Sequence, residues 1–140
     1  MSGQPGALAE NIMITDNIIH GEGMGIGLED AANSIIQSNW VYVTTGWAGM
    51  KLTGISNQVV FNRVSGGFQN GIGVAGGGTY YDSTANTVAW NTVIGAGIEG
   101  DGDAGIHLLQ GTSGNTIKYN NISGVDKPIV DDGEGNIIIS

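Results

Sequence analysis

Five asparagines, Asn17, Asn39, Asn62, Asn91 and Asn120, each sit between an apolar residue three positions before and another two positions after. The flanking pairs are Ile14 and Ile19, Ile36 and Val41, Val59 and Val64, Val88 and Val93, and Ile117 and Ile122, and Ile138 begins a sixth copy. The asparagines are separated by 22, 23, 29 and 29 residues. A second element, Gly-(Ile/Met)-x-(Leu/Val), falls between them at Gly25–Leu28, Gly49–Leu52, Gly71–Val74 and Gly105–Leu108, with a degenerate copy at Pro128-Ile129-Val130. A repeat of this kind builds one supersecondary unit many times, because a single unit cannot bury its apolar face without a neighbour.

Within each unit the apolar residues alternate over three or four positions and are rich in Val and Ile, which is the pattern of short strands. No segment carries a helical period. Short strands joined by polar corners at this spacing predict an all-β chain coiled as a parallel β-helix of about five to six coils, equivalent residues stacking ~4.8 Å apart. The repeated asparagines read as a corner ladder rather than a functional row, since Asn tolerates the left-handed backbone of tight corners and stacked amides bond from coil to coil. Asn57, Asn86, Asn115 and Asn136 read as a second ladder at the preceding corner. Phe61, Trp90 and Tyr119 each precede a ladder asparagine, which predicts an aromatic column. Ring contacts favour a stabilising role, and sugar binding would require the column to face solvent.

These residues resemble the right-handed parallel β-helix repeat proteins of the pectate-lyase-like superfamily, whose coils often read Asn-x-Ile-x-x-Asn-x-Ile followed by Gly-Ile. The likeness runs from about Asn11 to Ile139. It implies a right-handed β-helix and leaves function open, because the superfamily includes polysaccharide lyases, hydrolases, epimerases, phage tail spikes and non-catalytic surface proteins.

The chain reads as one domain over residues 1–140, or as a piece of a longer helix, with residues 1–9 as a terminal arm or cap. Thirteen Asp and Glu against four Lys and Arg give a net charge of −9, which repels nucleic-acid backbones and anionic membrane surfaces. Neither partner is expected. With no cysteine there is no disulfide, no thiolate nucleophile and no thiolate metal ligand. The start, Met1-Ser2-Gly3-Gln4-Pro5-Gly6, lacks the basic and apolar regions of a signal peptide. The resemblance nonetheless implies an extracellular or virion-surface setting.

In the second repeat element the Ile, Met, Leu and Val side chains point inward. The outward rows are then Gly25, Gly49, Gly71, Gly105 and Gly27, Lys51, Gly73, His107, a nearly bare face. Such a floor suits a polysaccharide or close packing against another subunit, since strand glycines often mark close approach. Two insertions flank it. One carries Tyr80, Tyr81 and Asp82, and the other Glu99, Asp101 and Asp103. Long loops on a rigid scaffold concentrate function, so the candidate sugar-binding residues are Tyr80, Tyr81, Asp82, Lys51 and His107. No cofactor is expected except Ca²⁺, for which Glu99, Asp101 and Asp103 are the candidate ligands, although Glu-Gly-Asp-Gly-Asp is also ordinary turn chemistry.

A glycoside hydrolase needs two carboxylates about 5–5.5 Å apart for retention or 6.5–9.5 Å for inversion. Asp82, Glu99, Asp101 and Asp103 lack diagnostic partners, and the combined Asn-Thr-Asp, Asp-Asp and Gly-His-Gly set of the polygalacturonase relatives is absent, Asp131-Asp132 being an isolated pair near the terminal coil. Lys51 and His107 lie two coils apart in one row, roughly 10 Å, too far for a direct pair. The preferred expectation is a non-catalytic carbohydrate-engaging or adhesive module of a surface or phage-tail assembly. A small polysaccharide lyase or glycoside hydrolase, and a purely structural self-assembling unit, are the alternatives. Homo-oligomers or a larger assembly are expected because solenoid ends expose unpaired backbone groups.

Overall fold

The computed structural model describes residues 8–76, 82–95 and 104–140. These form three parallel sheets that wind as a β-helix. Sheet A stacks Ala9–Glu10, Ile26–Ala32, Ala48–Ile55, Asn70–Val74, Ala104–Leu108 and Lys127–Asp131, with Ser83–Thr84 and Thr112–Ser113 pairing alongside. Sheet B stacks Met13–Thr15, Ile35–Gln37, Gln58–Val60, Thr87–Ala89, Thr116–Lys118 and Ile137–Ile139. Sheet C stacks Ile18–Gly21, Trp40–Val43, Arg63–Gly66, Thr92–Gly95 and Asn121–Ser123. Six coils result, sheet C being present in five. Ala9, assigned to the terminal arm on sequence grounds, lies in the first strand of sheet A opposite Ala31.

The register is that of the repeat. Ile14, Ile36, Val59, Val88, Ile117 and Ile138 align through sheet B, and Ile19, Val41, Val64, Val93 and Ile122 through sheet C. Ile26, Met50, Ile72, Ile106 and Ile129 form the third inward column, in sheet A. In the middle coils these side chains are sealed from water, and each stabilises the fold by about 1.5–3 kcal/mol.

Both asparagine ladders form, through hydrogen bonds rather than left-handed backbone. Asn62 is typical: its backbone N–H and its Nδ2 donate to Asn91 Oδ1 at 2.9 and 3.0 Å, and its Oδ1 accepts the same two bonds from Asn39. The left-handed residue is the one before, at Asp16, Ser38, Phe61, Trp90 and Tyr119, with φ between 53° and 58°. At the other corner Ser56 and Ala85 take this conformation before Asn57 and Asn86, as Gly114 and Gly135 do before Asn115 and Asn136. The asparagine amide therefore satisfies buried backbone groups, while its predecessor makes the bend.

The first glycine row faces the opposite way to the sequence expectation. A Cβ on Gly25, Gly49, Gly71 or Gly105 would lie 2.3 Å from Val41, Val64, Val93 or Ile122, each on the following coil. These glycines lie where sheet C turns into sheet A, and the next coil's core side chain occupies the space a Cβ would need. They line the interior, not a ligand surface.

Candidate functional site

The outward row of sheet A is Gly27, Lys51, Gly73, His107 and Val130, held opposite one another by the parallel register. It is not the bare floor expected. The outer edge of the Trp47 six-membered ring occupies the space over Gly73, its Cη2, Cζ3 and Cζ2 standing 2.7, 3.0 and 3.6 Å from where a Cβ would be, and Met24 lies over Gly27. Glycine at position 73 therefore makes room for an indole of the same chain. Trp47 stands in the corner just before Ala48–Ile55 and remains partly exposed. It belongs to no repeated motif, so pattern reading passed over it. The signal was indirect: a glycine one coil beyond an unrepeated tryptophan, in a row where the flanking coils carry long side chains.

Polar side chains bracket the indole on both sides. Lys51 Nζ lies 2.6 Å from Glu29 Oε1, one coil back, and His107 Nε2 lies 2.8 Å from Asp132 Oδ2, one coil on. The second pair is ionic whenever the ring is protonated. Asn70, itself buried, donates from Nδ2 to the Trp47 carbonyl at 3.2 Å, which turns its Oδ1 toward His107 Nδ1 at 3.0 Å. His107 is thereby fixed in orientation from two directions. The Lys51 and Glu29 side chains are 27% and 55% exposed, so their pair adds at most about 1 kcal/mol to stability. Its consequence lies in placing charge on the face.

Of the other residues singled out from sequence, Asp82 is exposed and shares a shallow depression of about 420 Å³ with Gln110, Thr112, Asp132 and Glu134. That places Asp82 beside the His107 pair through Asp132. Tyr80, Tyr81, Glu99, Asp101 and Asp103 lie outside the described residues. Among the described residues no three His, Cys, Asp or Glu side chains converge as a metal site would require.

The aromatic column is present and faces solvent, Phe61, Trp90 and Tyr119 being 56%, 44% and 51% exposed. Phe61 and Trp90 stack at 5.3 Å with planes 8° apart, and Trp90 and Tyr119 stand 5.9 Å apart at 32°. Their faces are spent largely on one another and on Lys118, whose Nζ is 5.1 Å from the Trp90 ring. This leaves mainly ring edges outward, a poor surface for stacking a sugar. An apolar depression on sheet C, lined by Ile18, Ile19, His20, Trp40, Tyr42 and Ser65, lies on a different sheet from Lys51 and His107.

Three parallel sheets, in-register inward columns and two amide ladders define the chain as a right-handed parallel β-helix protein. A family model matches residues 6–140, and the chain belongs to that family, NosD, described as periplasmic copper-binding protein. No curated protein and no solved structure matches it.

Copper takes thiolate, thioether and imidazole donors, and as Cu(II) also carboxylate oxygens, which among the described residues do not cluster with histidine in threes. This chain has no cysteine and two histidines. His20 stacks on Tyr42 in sheet C at 4.8 Å, whereas His107 lies in sheet A three coils on, with both nitrogens engaged. Met50 is sealed in the core, and Met13 and Met24 are exposed on separate parts of the surface. The described donors do not make a copper site, and no chemistry of this face is assigned to one.

Proposed function

We propose that this chain is a non-catalytic module that engages polysaccharide along the outer face of sheet A, outside the cytoplasm and within a larger assembly. The observation that carries the reading is the Trp47 indole seated on Gly73 between Lys51 and His107. An aromatic platform flanked by hydrogen-bonding groups suits a pyranose, whose C–H face is apolar and whose rim is polar. Tyr80, Tyr81 and Asp82, in the insertion that follows Asn70–Val74, remain part of the proposal on sequence grounds. The family's description as periplasmic supports a setting outside the cytoplasm.

A glycan array with the protein and its Trp47→Ala variant tests this. Binding by the parent that falls at least tenfold in a still-folded variant is the expected result. A parent that binds no glycan, or a variant that binds as the parent does, overturns it. The enzymatic reading has one supporting observation, the shared depression of Asp82, Asp132 and Glu134. Shortened products from a bound glycan would favour that reading over a binding module.

A further inference from the structure

We infer that this face selects uncharged sugars over acidic ones, and that Glu29 and Asp132 are the residues that set the choice. The inference rests on the carbohydrate reading above. A superfamily likeness that includes uronate-cleaving enzymes invites the opposite expectation, with Lys51 and His107 neutralising a sugar carboxylate. The geometry disposes of both side chains another way. Each is joined to a carboxylate on the coil facing away from Trp47, Lys51 to Glu29 and His107 to Asp132.

The two halves repeat one construction. Lys51 is in register with Gly27 and reaches Glu29, two residues beyond it. His107 is in register with Val130 and reaches Asp132, again two residues beyond. Along the helix axis the order is carboxylate, ammonium, indole, imidazole, carboxylate. A uronate placed on the indole would compete with Glu29 and Asp132 for their partners while being repelled by both, in a chain of net charge −9. An uncharged ring meets no such conflict. Adjacent hydroxyls each donate and accept, which is the complement of a donor and an acceptor held side by side.

The test compares affinities for a panel of neutral hexasaccharides (glucan, xylan, mannan and galactan) and acidic ones (oligogalacturonate and oligoalginate), by calorimetry at low ionic strength. Expected is binding to at least one neutral member tenfold or more tighter than to either acid. The Glu29→Gln/Asp132→Asn double variant should narrow that ratio at least tenfold by releasing Lys51 and His107. Both substituted side chains are more than half exposed, so folding should survive, as an unchanged denaturation midpoint would verify. A parent that prefers the acids overturns the inference and leaves the carbohydrate reading standing. A parent preference that the double variant leaves intact removes Glu29 and Asp132 from the account. A parent that binds neither class overturns both proposals.

Discussion

Replacing Asn62 by alanine tests the ladder at its most buried point. The side chain is 2% exposed and takes part in bonds in both directions. Its Oδ1 accepts from the backbone N–H and Nδ2 of Asn39, and its Nδ2 donates to Asn91 Oδ1 and to the Ile36 carbonyl at 2.9 Å. The Asn39 amide side chain keeps its bonds to Ile14 and Gln37, and Asn91 Oδ1 keeps the Asn62 backbone N–H. The Asn39 N–H and the Ile36 carbonyl each lose the bond that Asn62 supplied. At about 1–3 kcal/mol for each buried group left unpaired, the cost is about 3 kcal/mol. For a chain of this size that lowers the thermal midpoint by roughly 10 °C. Asn17→Ala is the matched control, because its Nδ2 partners are the exposed Thr15 carbonyl and Asn39 Oδ1, and water replaces what is lost. It should cost less than about 1 kcal/mol. Urea unfolding of both variants, with far-UV circular dichroism and tryptophan fluorescence as independent probes, gives the comparison. Equal losses would mean that burial of the amides does not set their worth, and the ladder argument would fail.

Gly71→Ala should destabilise by about 3 kcal/mol or more, because the new Cβ would meet Val93 Cγ1 at 2.3 Å and the backbone carbonyl oxygen of Gly105 at 2.5 Å, and the latter moves only with its strand. Gly27→Ala, which meets only the mobile end of Met24 at 3.2 Å, should stay within about 0.5 kcal/mol of the parent. Denaturant midpoints that rank them the other way would return the first glycine row to the surface. Titration with Cu(I) against a chromophoric competitor should show no tight stoichiometric complex, since the described imidazole and thioether donors lie on separate parts of the coil. A one-to-one complex that outcompetes the chelator would show that the donors do come together.

Much of the fold could be read from the residues, because a solenoid repeats its instructions. Any one apolar-x-x-Asn-x-apolar segment is weak, yet five copies at similar spacing leave little besides stacked coils, and Val59, Val88 and Ile117 align as their spacing implied. What period-two alternation could not convey was the corner. At Gly71 the chain turns from one sheet into the next, so the residue that simple alternation sends outward meets Val93 of the following coil instead. The same limit explains the asparagines: residue preference suggested left-handed Asn, whereas the bend falls on Phe61, Trp90 and Tyr119, where Cβ sterics cost roughly 1–2 kcal/mol each. Lys51 and His107 were placed correctly in one row by counting from the glycine motif. Trp47, Glu29 and Asn70 were not, because their roles arise from contacts between coils at unrepeated positions.

Coil length, counted between positions that meet on neighbouring coils, varies from 21 residues between Asn115 and Asn136 to 34 between Gly73 and His107, while the sheets keep step. The winding is thus indifferent to how much chain is spooled between one sheet and the next at the two insertions. For protein engineering, the segments after Val74 and after Val93 are natural cassettes: foreign peptides could be grafted there without asking the scaffold to change its sequence. For descent, the same two junctions are where recognition can diversify while the inward columns stay under constraint, so variation among sequences of this architecture should gather there first.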